Sequence, residues 1–177
     1  METLPDYLKV GLDVVFVGIN PGWQSAQEGH YFATSRNRFW TAFNAARMAE
    51  EDLGPSRDMR ILDYGMGLTD VVKRPTRSMA ELRASDFREG AIGLHAKLLK
   101  YVPRLVCFNG VSGYKGYAKN TIGLPPSVTL GVQTSCIGKS RVFVLPSTSP
   151  ANASIGLEEI VHRMRELKSL VQSTKVE

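Results

Sequence analysis

Residues 12–22, LDVVFVGINPG, join a strongly apolar run to a sharp polar turn, and this stretch decides the fold. Leu12 and the four residues 14–17 form a nearly continuous apolar run, which is typical of a strand that is covered on both faces. The following cluster, GINPG at 18–22, is rich in turn-forming residues. We therefore predict a buried strand over 12–19 with a polar loop at its carboxyl end.

The rest of the chain alternates predicted helices with predicted strands. Three helices are predicted, over about 36–49, from Ser85 onwards, and over about 154–172. Three further strands are predicted, over 104–108, 128–137 and 141–145, the last two joined by a turn at 138–139. Ser35 and Ser85 are placed to cap the first two helices. This alternation predicts a three-layer α/β/α sandwich with a central, mostly parallel sheet.

Composition narrows the class of protein. The chain has 177 residues, a size suited to one domain spanning residues 1–177. No apolar run approaches the length of a membrane helix and residues 1–8 lack the features of a secretory leader, so we expect a cytoplasmic protein, nucleoid-associated in a bacterium, without membrane contact. The two cysteines match no metal-binding spacing, which predicts reduced structural thiols and no metal site. The net charge of +5 favours a polyanionic partner such as DNA.

Two polar loops are expected at one edge of the sheet. The residues NPG at 20–22 and STS at 147–149 each follow a predicted strand, and ligands of open α/β sheets bind outside the carboxyl ends of the strands. Each loop alone also fits a simple tight connection. The chain contains neither a Gly-x-Ser-x-Gly nucleophile motif nor a Walker phosphate loop, which argues against a serine hydrolase and a P-loop nucleotidase.

Five segments together closely resemble the mismatch-specific uracil and thymine DNA glycosylases. They are GINPGWQSA at 18–26, GHYFA at 29–33, NRFW at 37–40, GLTDVVKRPT at 67–76 and LPSTS at 145–149. The resemblance covers roughly residues 12–170. It implies the fold of the uracil-DNA glycosylases and a monofunctional enzyme that flips a damaged pyrimidine out of DNA and cuts its glycosidic bond.

The resemblance also assigns roles to residues of the first loop. Asn20 matches the residue that positions the attacking water, and an amide oxygen can only accept a hydrogen bond, so we expect orientation rather than base catalysis. Phe32 matches the aromatic residue that stacks on the flipped base, although a core phenylalanine is the alternative. The residues expected around the base are Ile19, Pro21, Gly22, Ser25, His30 and Phe32. A plain surface histidine is the alternative for His30.

DNA contacts are expected from the late loop and from the segment after Asp70. The residues concerned are Ser147, Thr148, Ser149, Ala151, Lys73 and Arg74. Lys139 and Arg141 are further candidates for contacts with the DNA backbone. Loop hydroxyls and cations of this kind commonly contact phosphates, but a solvated surface charge is the alternative for each of the four cations.

Three departures from the family pattern bear on specificity. Small residues follow Ser149 in PANA at 150–153, where the family usually carries a bulky or basic side chain that fills the gap left by the flipped base. Trp23 stands where leucine is more common. Asp70 stands where lysine or asparagine is common, and its carboxylate predicts either a second water-holding or basic group or a turn residue after Thr69.

These observations predict a DNA repair glycosylase without metal or cofactor. Its partner is double-stranded DNA that contains uracil or a mismatched or damaged pyrimidine, and we expect a monomer. Two alternatives remain open at this point: a nucleoside hydrolase acting on small molecules, and a non-catalytic DNA-binding module.

Overall fold

A five-stranded sheet forms the centre of the computed structural model, which describes residues 2–175. Its strands are β1 (Val14–Gly18), β2 (Met66–Asp70), β3 (Leu105–Asn109), β4 (Gly131–Ile137) and β5 (Ser140–Leu145). They lie in the order β2-β1-β3-β5-β4. All neighbours are parallel except β4, which pairs antiparallel with β5.

Helices cover both faces of this sheet. They are α1 (Trp23–Glu28), α2 (Phe39–Ala45), α3 (Ala84–Tyr101), α4 (Val111–Lys119) and α5 (Leu157–Thr174), with 3₁₀ segments at Pro55–Tyr64 and Met79–Glu81. The apolar residues of α2 and α5 join one buried cluster, and those of α3 and α4 join the other. The predicted three-layer α/β/α sandwich is therefore confirmed.

The alternation of side chains along β1 explains its apolar run. Val14 and Phe16 point into the cluster under α2 and α5, whereas Val15 and Val17 point into the cluster under α3 and α4. All four side chains are buried, with at most 1% of their surface exposed. Because successive residues of a strand face opposite sides, a strand between two helical layers is apolar at every position.

Strand β2 was not predicted, because the residues of 67–70, GLTD, are not typical of strands. It forms at the edge of the sheet, where Tyr7 pairs with Leu68 through two backbone hydrogen bonds of 2.9 and 3.1 Å. A side chain at Gly67 would place its Cβ 2.3 Å from the Tyr7 carbonyl oxygen, so the close pairing requires glycine here. Asp70 is the last residue of β2 rather than a turn residue.

Two predicted helix starts were wrong. Helix α2 begins at Phe39 after Arg38 rather than after Ser35, and the backbone N–H of Phe39 donates to Asn37 Oδ1 at 2.9 Å. Helix α3 begins after Arg83, whose backbone N–H donates to the Asp86 carboxylate at 2.7 Å, so Ser85 is not the cap. Helix α4 was missed because two of its nine residues are glycine.

Two expectations from composition can be compared with the structure. Cys107 is buried in β3 as expected of a structural thiol, whereas Cys136 is exposed, and both are free. None of the helices within residues 2–175 has the length and apolar character that crossing a membrane would require.

Gly90 lets α3 lie directly on the chain that leaves β2. A Cβ at Gly90 would sit 2.2 Å from the Val71 carbonyl oxygen, whereas a Cβ at Gly93 on the same helix would have no atom within 4 Å. The lack of a side chain is therefore required by close packing at Gly90 but not at Gly93. Only Gly90 sets the distance between α3 and the sheet.

Alanine substitutions at these two glycines should change stability in opposite directions. We expect Gly90→Ala to lower the free energy of unfolding by about 1–3 kcal/mol, because the backbones must move apart. Gly93→Ala should raise it by roughly 0.5–1 kcal/mol, because alanine loses less conformational entropy in a helix. Urea denaturation of both variants measures the difference, and equal effects would show that α3 does not approach the sheet at Gly90.

Candidate active site at the carboxyl edge of the sheet

Polar residues follow four of the strands at the same edge of the sheet. Asp70 ends β2, Asn109 ends β3, Asn20 comes two residues after β1, and Thr148 comes three residues after β5. These strands are parallel, so their carboxyl ends meet at one edge. The two loops expected at this edge from the sequence are therefore brought together.

The side-chain amide of Asn20 is held in one orientation. Its Nδ2 donates to the Arg74 carbonyl oxygen at 2.9 Å, to Thr76 Oγ1 at 2.8 Å and to the Pro21 carbonyl oxygen at 3.2 Å. No donor within residues 2–175 bonds to its Oδ1. Three oxygen acceptors around one end of the amide identify that end as the nitrogen. The oxygen is therefore the end that remains free to accept a hydrogen bond from water.

A short parallel bridge joins this loop to the segment after β2. Gly22 pairs with Thr76, and the backbone N–H groups of Trp23 and Thr76 donate to the carbonyl oxygens of Thr76 and Pro21 at 2.9 and 3.2 Å. The carbonyl oxygen of Ile19 accepts from Val72 N at 2.8 Å. Gly22 is exposed, Ile19 is half-buried and Pro21 is buried, so the predicted base-pocket residues of this loop differ in their access to solvent.

A buried carboxylate organises the loop at residues 30–32. Asp58, which is 2% exposed, accepts hydrogen bonds from Tyr31 N at 2.8 Å and from the Tyr7 hydroxyl at 3.2 Å. His30 Nδ1 lies 3.3 Å from Asp58 Oδ1. His30 is therefore not a plain surface histidine, since one of its ring nitrogens faces a buried acid. The sequence carried no signal for Asp58, which lies among the mixed charges of 57–63.

Phe32 is held in a strained backbone conformation on the aromatic core. Its φ of 53° lies in the left-handed region, which is uncommon for a bulky residue. Its ring stacks on Phe39 with centroids 4.1 Å apart and planes 19° apart. The neighbouring residues fix it, because Tyr31 N donates to Asp58 and Ala33 N donates to Ser25 Oγ at 3.0 Å. Ser25, a predicted base-pocket residue, is buried and anchors this loop.

Thr148 connects the late loop to the rest of the site. It is fully buried, and its Oγ1 donates to Asn37 Oδ1 at 2.8 Å and accepts from Asn109 Nδ2 at 2.8 Å. Its backbone N–H donates to Asn109 Oδ1 at 3.1 Å. The structure therefore does not favour the predicted DNA contact by Thr148, because its hydroxyl is used inside the protein.

Arg38 holds the late loop from the opposite side. Its Nη2 donates to the carbonyl oxygens of Ser149 and Asn152 at 3.2 and 3.0 Å, and its Nη1 donates to the carbonyl oxygen of Ile155. Ser147 and Ser149 are half-buried and Ala151 is exposed, so these three predicted DNA contacts lie at or near the surface. The motif NRFW at 37–40 thus joins the first and last loops of the site.

Asp70 is a buried carboxylate beside the first loop. It is 4% exposed, its Oδ2 accepts no hydrogen bond within residues 2–175, and its Oδ1 lies 2.5 Å from where a Cβ on Gly18 would stand. Lys73 Nζ lies 3.8 Å from Oδ2. Burial raises the pKa of Asp70 to about 7, opposed by Lys73 and reinforced by the negative charge of Asp6.

The two cations after Asp70 that were predicted to contact DNA are in ion pairs. Lys73 Nζ lies 2.9 Å from Asp6 Oδ1, and Arg74 Nη2 lies 2.7 Å from Asp86 Oδ2. Asp6 comes from the N-terminal segment beside β2 and also pairs with Lys97 at 2.5 Å. A phosphate contact by Lys73 or Arg74 remains a prediction, and it would have to compete with these carboxylates.

Comparison with known proteins identifies the family and supports the fold. A family model described as the uracil DNA glycosylase superfamily matches residues 5–168. The solution NMR structure of a candidate uracil DNA glycosylase from Methanosarcina acetivorans superimposes with a TM-score of 0.57 at 21% sequence identity, covering 98% of each chain. At this identity the structural likeness shows the fold alone.

Removing the Asp58 carboxylate should destabilise the protein. Asp58→Ala leaves the buried Tyr31 N–H without a partner, and we expect the free energy of unfolding to fall by about 2–3 kcal/mol. Asp63→Ala is the matched control: Asp63 is 64% exposed and meets Arg60 at 3.6 Å, so the loss should stay below about 0.5 kcal/mol. Thermal and urea unfolding measure both, and a similar small loss at both positions would contradict the role of Asp58.

Proposed function

The chain belongs to the uracil DNA glycosylase superfamily, and on this basis we propose that it is a DNA repair glycosylase of the mismatch-specific uracil and thymine type. It flips uracil out of double-stranded DNA and hydrolyses the N-glycosidic bond, leaving an abasic site. Thymine and other damaged pyrimidines opposite guanine are further substrates. The observation that carries the proposal is the side chain of Asn20, whose nitrogen is fully engaged and whose oxygen is free.

The chemistry of the reaction suits such an amide. A base inside the duplex is out of reach, so it must first enter a pocket in the protein. Breaking the bond builds positive charge on the sugar and negative charge on the departing base, so the site needs a positioned water and donors near the anion. Asn20 Oδ1 accepts a hydrogen bond from the water and orients it, and it takes no proton.

The base lies between the first loop and Phe32 in this proposal. Phe32 offers a ring already fixed by stacking on Phe39. The backbone around Ile19 and Gly22 supplies donors to a base oxygen. Because Nδ1 of His30 faces Asp58, its Nε2 is the atom left to contact the base or the adjoining phosphate.

The late loop contacts the DNA strand near the flipped nucleotide. Ser147 and Ser149 use their hydroxyl oxygens to accept backbone hydrogen bonds at 3.3 Å, which leaves their hydroxyl hydrogens for a phosphate oxygen. The small side chains at 150–153 do not fill the gap in the duplex. Recognition of the opposite guanine is therefore weak, and discrimination depends mainly on the base pocket.

The proposal is tested by uracil release without metal. In EDTA, excess enzyme should convert a duplex carrying uracil opposite guanine into alkali-labile abasic DNA, while free deoxyuridine should stay intact. Asn20→Ala should lower the single-turnover rate about 10²-fold or more, because the water loses its anchor. Asn120→Ala is the matched control, since this half-buried amide donates to the Gly116 carbonyl oxygen at the far end of α4.

Three results would contradict this prediction. Absence of abasic sites under excess enzyme would exclude the glycosylase. Faster hydrolysis of deoxyuridine than of the duplex would instead indicate a nucleoside hydrolase. A single-turnover rate of Asn20→Ala close to that of wild type would exclude the proposed role of Asn20 in positioning water.

Asp70 is proposed as a second water-holding group that acts as a base when ionised. With a pKa of about 7, the wild-type rate should fall as the pH drops from 8 to 6, because Asp70 gains a proton. Asp70→Asn should show a lower rate at pH 8 and no step near pH 7. Single-turnover rates across pH measure this, and a wild-type rate for Asp70→Asn throughout would make Asp70 structural.

Stability provides an independent check on the ionisation of Asp70. The folded-state pKa is raised above that of the unfolded chain, so the folded state holds the proton between about pH 4 and pH 7 while the unfolded state releases it. The stability of wild type relative to Asp70→Asn should therefore fall as pH rises through this window. Lys73, Asp6 and Tyr31 face Asp70 and interact with its charge. The comparison of wild type with Asp70→Asn therefore leaves these three residues unchanged.

A further inference from the structure

An arginine without a carboxylate partner stands next to the site. The guanidinium of Arg77 lies 4.7 Å from the ring centroid of Trp23. Within residues 2–175, Arg77 forms no ion pair and its side chain donates no hydrogen bond. Trp23 is 39% exposed, which is unusual for so large an aromatic side chain. This pair therefore combines free donors with an exposed aromatic ring.

Both residues are attached to the loop that carries Asn20. Trp23 comes three residues after Asn20, and its backbone N–H donates to the Thr76 carbonyl oxygen at 2.9 Å. Arg77 follows Thr76, whose hydroxyl oxygen accepts a hydrogen bond from Asn20 Nδ2 at 2.8 Å. The position of the pair relative to Asn20 is thus fixed by short hydrogen bonds rather than by a flexible linker.

Stacking on an indole ring holds a guanidinium in an orientation in which it can bind a phosphate. The contact restrains the long arginine side chain, while the N–H donors in its plane stay available. Planar guanidinium groups match the oxygens of a phosphate well. Lys73 and Arg74 lack this freedom, because Asp6 and Asp86 already hold them.

We propose that Trp23 and Arg77 form a phosphate-binding contact for the DNA strand beside the flipped nucleotide, a proposal that rests on the glycosylase function above. Arg77 binds the phosphate and Trp23 holds Arg77 in place. Two observations favour a nucleic-acid phosphate at this surface: the chain has a net charge of +5, and no carboxylate within residues 2–175 pairs with Arg77. An acidic peptide would need further complementary groups on the protein surface. The contact supplies affinity that the small residues of the late loop do not.

DNA binding without cleavage tests the contact. The probe is a duplex with 2′-fluoro-deoxyuridine opposite guanine, which resists hydrolysis, and binding is followed by anisotropy at several salt concentrations. Arg77→Ala should weaken binding about tenfold and lower the slope of log affinity against log salt by about 1. Arg77→Lys should keep the slope and recover part of the affinity.

Two further variants separate the roles of the pair. Trp23→Leu should weaken binding several-fold without changing the salt slope, because the charge remains but its position is no longer held. Arg141→Ala is the matched control. The sequence also offered this exposed arginine as a candidate DNA contact, but it lies at the start of β5, at the amino end of the strands and away from the site. It should bind as wild type does.

Tryptophan fluorescence gives a second readout. Trp40 is 6% exposed and Trp23 is 39% exposed, so acrylamide quenching reports mainly on Trp23. The duplex should protect Trp23 from the quencher. Unchanged quenching, or an Arg77→Ala variant that binds with wild-type affinity and slope, would overturn the proposal.

The outcomes also separate this contact from the glycosylase proposal. If uracil is released normally while Arg77→Ala binds as wild type, the contact alone is wrong. If uracil is never released while Arg77→Ala loses affinity and salt slope, the glycosylase proposal is wrong and the DNA contact stands.

Discussion

The buried hydroxyl of Thr148 is the interaction on which the rest of the site depends. It bonds to Asn37 from the first half of the chain and to Asn109 at the end of β3, so one side chain joins three segments. Thr148 and Asn109 are buried, and a buried polar group without a partner costs about 1–3 kcal/mol. The three segments must therefore assemble together, and Arg38 completes the assembly by holding the carbonyl oxygens that follow Thr148.

The polar groups of the site lie at the carboxyl ends of the strands. The interiors of β1 and β3 are filled by apolar side chains on both faces, so a polar residue of these central strands fits best at the strand end, where loops supply hydrogen-bond partners. Asn109 is satisfied in this way, whereas Oδ2 of Asp70 accepts no hydrogen bond from the described residues 2–175. A buried carboxylate oxygen that lacks a hydrogen bond within residues 2–175 is uncommon, and this is the observation on which the proposed role of Asp70 rests.

Charge pairing divides the cations around the site into two kinds. Lys73 and Arg74 were predicted from the sequence as DNA contacts, but each meets a carboxylate that lies elsewhere in the chain. Arg77, three residues further on, meets an indole instead. A count of basic residues therefore overstates the number of groups available to DNA, and the ones that remain free are identified by their neighbours.

The amino-acid sequence by itself determined the layers of the fold and the edge at which the site lies. Runs such as 14–17 are apolar at every position because they lie between two helical layers, and the turn at 18–22 follows directly from its residue types. Asn20 and Phe32 received their roles from the resemblance of their two segments to the glycosylase family, and those roles stay predictions. Tertiary structure alone decided the rest: Asp58 lies 27 residues from Tyr31, and Asp6 lies 67 residues from Lys73. Such pairings depend on how strands and edge segments meet in space, which local patterns do not record. They are the reason that Thr148, Lys73 and Arg74, which the sequence predicted only as DNA contacts, also have partners inside the protein.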